Sequence, residues 1–313
     1  MKKIILLALL FCLVENNYGQ IVRTKLPDTT SNWTQTNKVG LDITQITFLN
    51  WNAGGNTSVS GLAKGNFTRK YLKDNLMWNN ELVVRYGINK QEGQGARKTD
   101  DQFLLNSTFG YRTDTISNWF YGAKFSFNTQ FANGYAYPNT NLAISKPFAP
   151  AYVFLGIGAN YTKEEYKLDV YLSPLTQKTT LVFSERLANE GAFGVKKAQY
   201  DSFGNLIRKG ENSRTELGAL ISGKWEKRIF ENIDMENRIT LYSDYLNNFG
   251  NIDVDWRIQL EMTVNKYVKA SISTHLIYDD DIKTKEDVSG VQVTKGPKVQ
   301  LKQILGIGLT YSF

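Results

Sequence analysis

The chain has a single histidine, and the chemistry open to it depends on its neighbours. Nucleophilic catalysis needs a base beside an activated hydroxyl and a third group that orients the base. His275 alternates with Tyr267, Lys269, Ser271 and Ser273, which puts them on one face of an extended segment, and no serine motif stands beside it. We read His275 as a hydrogen-bonded residue of an inward face, and the chain as not an enzyme. Asp279, Asp280 and Asp281 offer the hard oxygen ligands that calcium prefers, but the ligand spacing of a calcium loop is missing. They read as a solvated loop, and no metal is assigned. Lys64-Gly65 and Gly54-Gly55 lack the phosphate-loop pattern, so no nucleotide or other cofactor is expected.

A larger set of groups mixes both signs: Glu81, Arg85, Lys124, Glu236, Arg238, Asp253, Asp255, Arg257, Glu261, Lys269 and Lys302. Most stand at every second position of a segment whose intervening residues are apolar. Such alternation places charges on one face of a strand and apolar side chains on the other. In a barrel that spans a bilayer, the charged face lines the lumen, where it orients a polar solute and sets ion selectivity. Alternatively, the charges pair across neighbouring strands and fill a narrow interior.

The elements that would position these groups repeat one texture from Leu41 to Phe313. The clearest is the last, Pro297 to Phe313, in which Val299, Leu301, Leu305, Ile307, Leu309, Tyr311 and Phe313 oppose Lys298, Gln300, Lys302, Gly306, Gly308, Thr310 and Ser312. A strand of about fifteen residues exceeds the usual soluble length but suits a tilted membrane crossing. Leu76 to Asn89 and Ile252 to Val264 alternate equally well. A change of face between Ile43 and Ile46 implies a bulge near Gln45, and Gly61, Ala63 and Gly65 mark a crowded interior or a bend. Strand seven is read to end at Leu172, followed by a long outer or plug loop, 173–212, that holds only the short apolar piece Thr180 to Phe183.

The expected fold is therefore all-β, an antiparallel outer-membrane β-barrel of twelve strands over 38–313, with fourteen as the fallback. Twelve places the turns near Leu72, Thr115, Glu164, Asn232 and Asn265 at one end, and all are short. The longer connections, Gln91 to Lys98, Ala132 to Pro150, Ser173 to Asn212 and Asp279 to Gly296, all fall at the other. A soluble sandwich or lipocalin-like barrel would have shorter strands and a polar outer face. Trp78, Trp119, Trp225, Trp256, Tyr278 and Tyr311 fall on lipid-facing registers, as interface girdles do. Tyr135 and Tyr137 are loop aromatics with which a carbohydrate could stack.

Residues 1–19 read as a secretory signal peptide, with Lys2 and Lys3 before an apolar run from Ile4 to Val14 and cleavage after Gly19. Residues 20–37 read as an N-terminal periplasmic or lumen segment. The one cysteine, Cys12, follows Phe11 inside the apolar run, which is not the setting of a lipidated cysteine. Past the leader no apolar run is long enough for a membrane helix, and the negative mean hydropathy is compatible with a barrel, since only alternate residues face lipid. The formal charge of +7 becomes about +6 once Lys2, Lys3 and Glu15 are lost with the leader. Its cations form no stripe, so nucleic acid is not an expected partner. The bilayer with its lipopolysaccharide, a small solute, and the machinery that inserts barrels through a C-terminal strand ending in Phe313 are.

Two stretches, Leu49-Asn50-Trp51-Asn52-Ala53-Gly54-Gly55-Asn56 and Ser173-Pro174-Leu175 with Gly191-Ala192-Phe193-Gly194-Val195, together with Gly134-Tyr135-Ala136-Tyr137-Pro138, resemble the domain of unknown function 3078 family of Bacteroidetes-type outer membranes. The resemblance runs from Trp51 to Phe313. It implies export to the cell outer membrane and a barrel, and carries no activity or functional residue with it. The functional expectation is a porin-like channel or transporter for a small solute. The alternatives are a closed structural or interaction barrel whose loops bind lipopolysaccharide or a partner, and, last, a membrane enzyme.

Overall fold

Twelve strands carry the alternation into three dimensions in a computed structural model that describes residues 32–47, 56–247, 249–288 and 291–313. They are β1 Trp33–Ile46, β2 Ser58–Lys73, β3 Leu76–Gln91, β4 Arg97–Tyr111, β5 Trp119–Thr129, β6 Ala151–Lys163, β7 Leu168–Leu181, β8 Ser213–Phe230, β9 Ile233–Asp244, β10 Asp253–Thr263, β11 Val268–Tyr278 and β12 Gln300–Ser312. Each pairs antiparallel with its neighbours in sequence, and β12 returns to β1, so the sheet closes as an up-and-down barrel. The signal-peptide region and most of the Leu49-to-Asn56 motif lie outside the described residues.

Side chains obey the pleat. Leu301, Leu305, Ile307 and Leu309 of β12 are 58–68% exposed on the outer face, while Asp42, Arg85, Lys178 and Glu216 are buried inside. A soluble protein does the reverse. At about 3.3 Å per residue, the thirteen residues of β12 measure about 43 Å, and tilted by about 40° they stand about 33 Å tall. That matches the hydrocarbon core of a bilayer, about 30 Å. Aromatics collect on the outer face near the short-turn end: Trp33 packs on Tyr71 and Trp78 at 5.2 and 5.7 Å, Trp119 on Tyr161 at 5.0 Å, and Tyr311 stacks on Phe313 at 5.5 Å.

Five expectations need correction. First, the barrel begins at Trp33, not at residue 38, because β1 pairs with β2 from Trp33↔Tyr71 onward. Second, that register runs unbroken to Ile46↔Ser58, so there is no bulge near Gln45; Ile46 lies at the barrel mouth, half exposed. Third, Gly61, Ala63 and Gly65 share the outer face with their partners Ile43, Leu41 and Val39, and the Phe67 ring lies against Gly65. Fourth, the closing strand starts at Gln300, and a separate hairpin, Lys283–Val288 with Val291–Pro297, precedes it.

The fifth correction concerns β7, which runs on to Leu181. Pro174 has no N–H to give a ladder, so the strand bulges there: Ile157 faces Leu175, yet Ala159 faces Leu172. The Ser173 hydroxyl bonds the Ile157 carbonyl at 2.8 Å, and Thr176 Oγ1 bonds Ser173 Oγ at 2.7 Å, partners for groups that the ladder leaves free. The bulge also switches parity. Leu168, Val170 and Leu172 point outward before it; Thr176, Lys178 and Thr180 point inward after it.

The long connection is therefore 182–212, and it is folded. Val182, Leu187, Ala188 and Val195 bury themselves with Ala149 of the β5–β6 connection, and Phe193 packs against them. The short helix α1, Glu185–Asn189, carries Leu187 and Ala188. On the loop surface, Lys209 bonds Glu185 at 2.8 Å, and this hydrogen bond holds the Glu185 carboxyl below its ordinary range.

The seam between β1 and β12 is the shortest. It has five partner pairs, from Lys38↔Ser312 to Asp42↔Gly308, against nine to sixteen elsewhere. Asn37 and Phe313 extend it by exchanging backbone hydrogen bonds at 3.0 and 3.1 Å.

Candidate functional site

Inward parity brings the charged groups together in layers. Near the short-turn end, Glu261 of β10 accepts from Lys38 of β1 at 2.7 Å and from Lys269 of β11. At mid-height, Arg238 of β9 grips both Glu81 carboxylate oxygens, at 2.6 and 2.7 Å. β3 and β9 are six strands apart in a ring of twelve, so this bidentate pair crosses the full diameter. Glu236 also accepts from Arg238, at 2.6 Å, and Lys224 completes the group, 3.5 Å from Glu236 and 3.7 Å from Glu81.

Next to it, Asp100 of β4 accepts from Arg85 at 2.7 Å and from Lys302 of β12 at 2.6 Å. Arg257 of β10 reaches Gln102 of β4 at 3.0 Å, another diametric contact, and its second guanidinium nitrogen lies 3.3 Å from His275 Nδ1. His275 Nε2 is 2.9 Å from Asp255. The histidine is thus held between a carboxylate and a guanidinium, with no hydroxyl bonded to it among the described residues.

Toward the long-loop end, the Lys178 ammonium is 2.6 Å from Asp253, 3.5 Å from Asp279 and 3.7 Å from Glu216. Arg214 bonds Asp281 at 2.6 Å and Glu216 at 3.2 Å. Carboxylate oxygens of Asp253, Asp279 and Asp280 lie within 4.8 Å of one another, close enough for a cation, but Lys178 already supplies positive charge to two of them. Lys124 of β5 differs from the rest: its Nζ bonds Ser222 Oγ of β8 at 2.6 Å and stands 5.3 Å from the Tyr171 ring centre.

Around these pairs runs a cavity of about 480 Å³, bordered by Thr68, Lys70 and Asn79 toward the short-turn end and by Tyr278, Asp279 and Gln300 toward the other. Tyr171, Leu220, Tyr242 and Phe154 form its apolar wall. Phe193 of the folded loop and Ile282 border it from the long-loop end. Outside the lumen, the Tyr137 hydroxyl accepts from the Lys98 amide at 3.1 Å and Arg97 lies over its ring, so that ring is already engaged.

All nine residues singled out as lumen-lining, Glu81, Arg85, Lys124, Arg238, Asp253, Asp255, Arg257, Glu261 and Lys302, stand on inward registers. Six that were not singled out share the lattice: Asp42, which bonds Lys64 at 2.8 Å, and Asp100, Lys178, Glu216 and Lys224. Parity alone would have found Glu216 and Lys224, since Leu217 and Trp225 point outward. The Pro174 bulge hid Lys178.

The model of a family described as protein of unknown function (DUF3078) matches residues 43–135, so the resemblance is found from the end of β1 through β5. The stretches around Ser173 and Gly191 lie beyond that match. No curated protein sequence matches the chain. Among solved structures, an outer membrane channel from Pseudomonas putida F1 is similar at 12% identity and TM-score 0.37, over 89% of this chain and 95% of its own. The translocator domain of the autotransporter NalP from Neisseria meningitidis is similar at 11% and 0.33, over 90% and 87%. OmpF of Salmonella typhi, in complex with daunomycin, is similar at 9% and 0.28, over 90% and 97%.

Proposed function

We propose that this barrel resides in the outer membrane and acts as a narrow channel for a small polar solute, partly closed by ion pairs that cross its lumen and by the folded loop 182–212. One observation carries the reading: the polar cavity continues past the Glu81–Arg238 pair and borders residues near both ends of the barrel. Lipid is its outer partner, since the exposed face is apolar and the short-turn end carries aromatics of the kind that anchor at an interface. With both chain ends and the short turns in the periplasm, the long loops meet lipopolysaccharide, and the strand ending in Phe313 is the one offered to the insertion machinery. Residues 1–19 direct export.

The test is single-channel recording in a planar bilayer from the refolded protein and from a variant with 182–212 replaced by a short linker. Small current steps are expected from the wild type and larger ones from the shortened form. Silence from both, with folding shown by heat-shifted gel mobility, overturns the channel. A second reading would then stand, a closed barrel that acts through its loops. What favours it is the pair of diametric contacts, Glu81–Arg238 and Gln102–Arg257.

A further inference from the structure

We propose that the lumen holds a binding position for a small carboxylate or phosphate anion, built on Lys124 and Ser222, with Arg257 as a second station on the same cavity. The inference rests on the channel reading and adds the charge of the solute.

The cations that brace the walls meet carboxylates: Arg85, Lys178, Arg238 and Lys302 each have one within 2.6–2.7 Å. Lys124 has none within 4 Å among the described residues. Its partners are a hydroxyl at 2.6 Å and the face of Tyr171. Arg257 is likewise held by neutral acceptors, the Gln102 oxygen at 3.0 Å and His275 Nδ1 at 3.3 Å. The carboxylate nearest in kind, Asp169, borders the same cavity but is engaged by Asn160 at 3.0 Å and Thr162 at 2.9 Å.

An ammonium withdrawn from bulk water without a counter-charge is costly, and ionisable groups kept inside a membrane protein mark pathways for ions and substrates. The geometry shows what a ligand would meet. Ser222 Oγ accepts from Lys124, which leaves the serine hydrogen to be donated elsewhere. Lys124 and Ser222 both border the cavity, as Arg257 does. A small anion there would find an ammonium and a hydroxyl donor side by side, and would supply the charge that the wall does not.

Two measurements on the folded full-length mature protein test this separately from the channel. Crystals soaked in bromide should show anomalous density beside Lys124 Nζ and Ser222 Oγ, displaced by acetate or by phosphate, whichever is the better mimic. No bromide at Lys124 overturns the proposal whatever the currents are. Reversal potentials in a KCl gradient should show anion preference, lost in Lys124→Met and kept in Lys124→Arg. Preference unchanged in a folded Lys124→Met also overturns it, while the channel stands. Bromide at Lys124 with no current from any folded form keeps the subsite and overturns the channel. If Lys124→Met does not fold, the wild-type soak decides.

Discussion

Arg238 and Glu81 show how little of a residue's role its own strand reveals. Their side chains keep 20% and 14% of their surface, so the pair lies between a screened surface bridge and a dry buried one. Removing one partner from a dry pair costs about 3–5 kcal/mol. Here Lys224, 3.7 Å from Glu81, would partly compensate, and Arg238→Met should cost about 1–3 kcal/mol. A double-mutant cycle with Glu81→Gln, read by urea unfolding in vesicles, should give a coupling of about 0.5–3 kcal/mol. A coupling near zero would mean that lumen water screens the pair. That both residues face inward was legible from alternation. That they meet each other was not, because the pairing depends on where the ring of twelve strands closes.

At the scale of the strand, glycines separate the two faces. A Cβ at Gly158 would stand 2.0 Å from the Leu172 carbonyl, opposite the Pro174 bulge, whereas a Cβ at Gly61 would meet nothing within 4 Å. Gly158→Ala should therefore destabilise the barrel by about 1–3 kcal/mol through overpacking against backbone. Gly61→Ala, on the outer face, should leave thermal gel mobility unchanged. Equal mobility for the two variants would mean that the bulge relaxes freely. Strand number, order and the short-turn end could be read from the sequence because lipid on one side and water on the other impose a strict period of two. β7 could not be read past Leu172, since a single proline shifted the period by one and made a continuing strand look like a loop. The folded 182–212 segment was equally hidden, because its buried residues, Val182, Leu187 and Val195, follow neither period.

For the whole molecule, the informative line is the β1–β12 seam. Two ion pairs straddle it from inside: Lys38 of β1 reaches past β12 and β11 to Glu261, and Lys302 of β12 reaches past β1, β2 and β3 to Asp100. Both lysines are about two-fifths exposed, so each pair contributes at most about 1 kcal/mol and weakens as salt rises. Amide exchange followed by mass spectrometry should find β1 and β12 exchanging before β3 and β4, and faster at high ionic strength. In Lys38→Met/Lys302→Met that salt dependence should vanish; its persistence would place the sensitivity elsewhere. In mechanical terms the barrel is a hoop with one short splice, stiffened by two internal tie rods made of charge. Lateral pressure from the bilayer loads the splice first, and the ionic strength of the solution in the lumen sets how much of that load the rods can take.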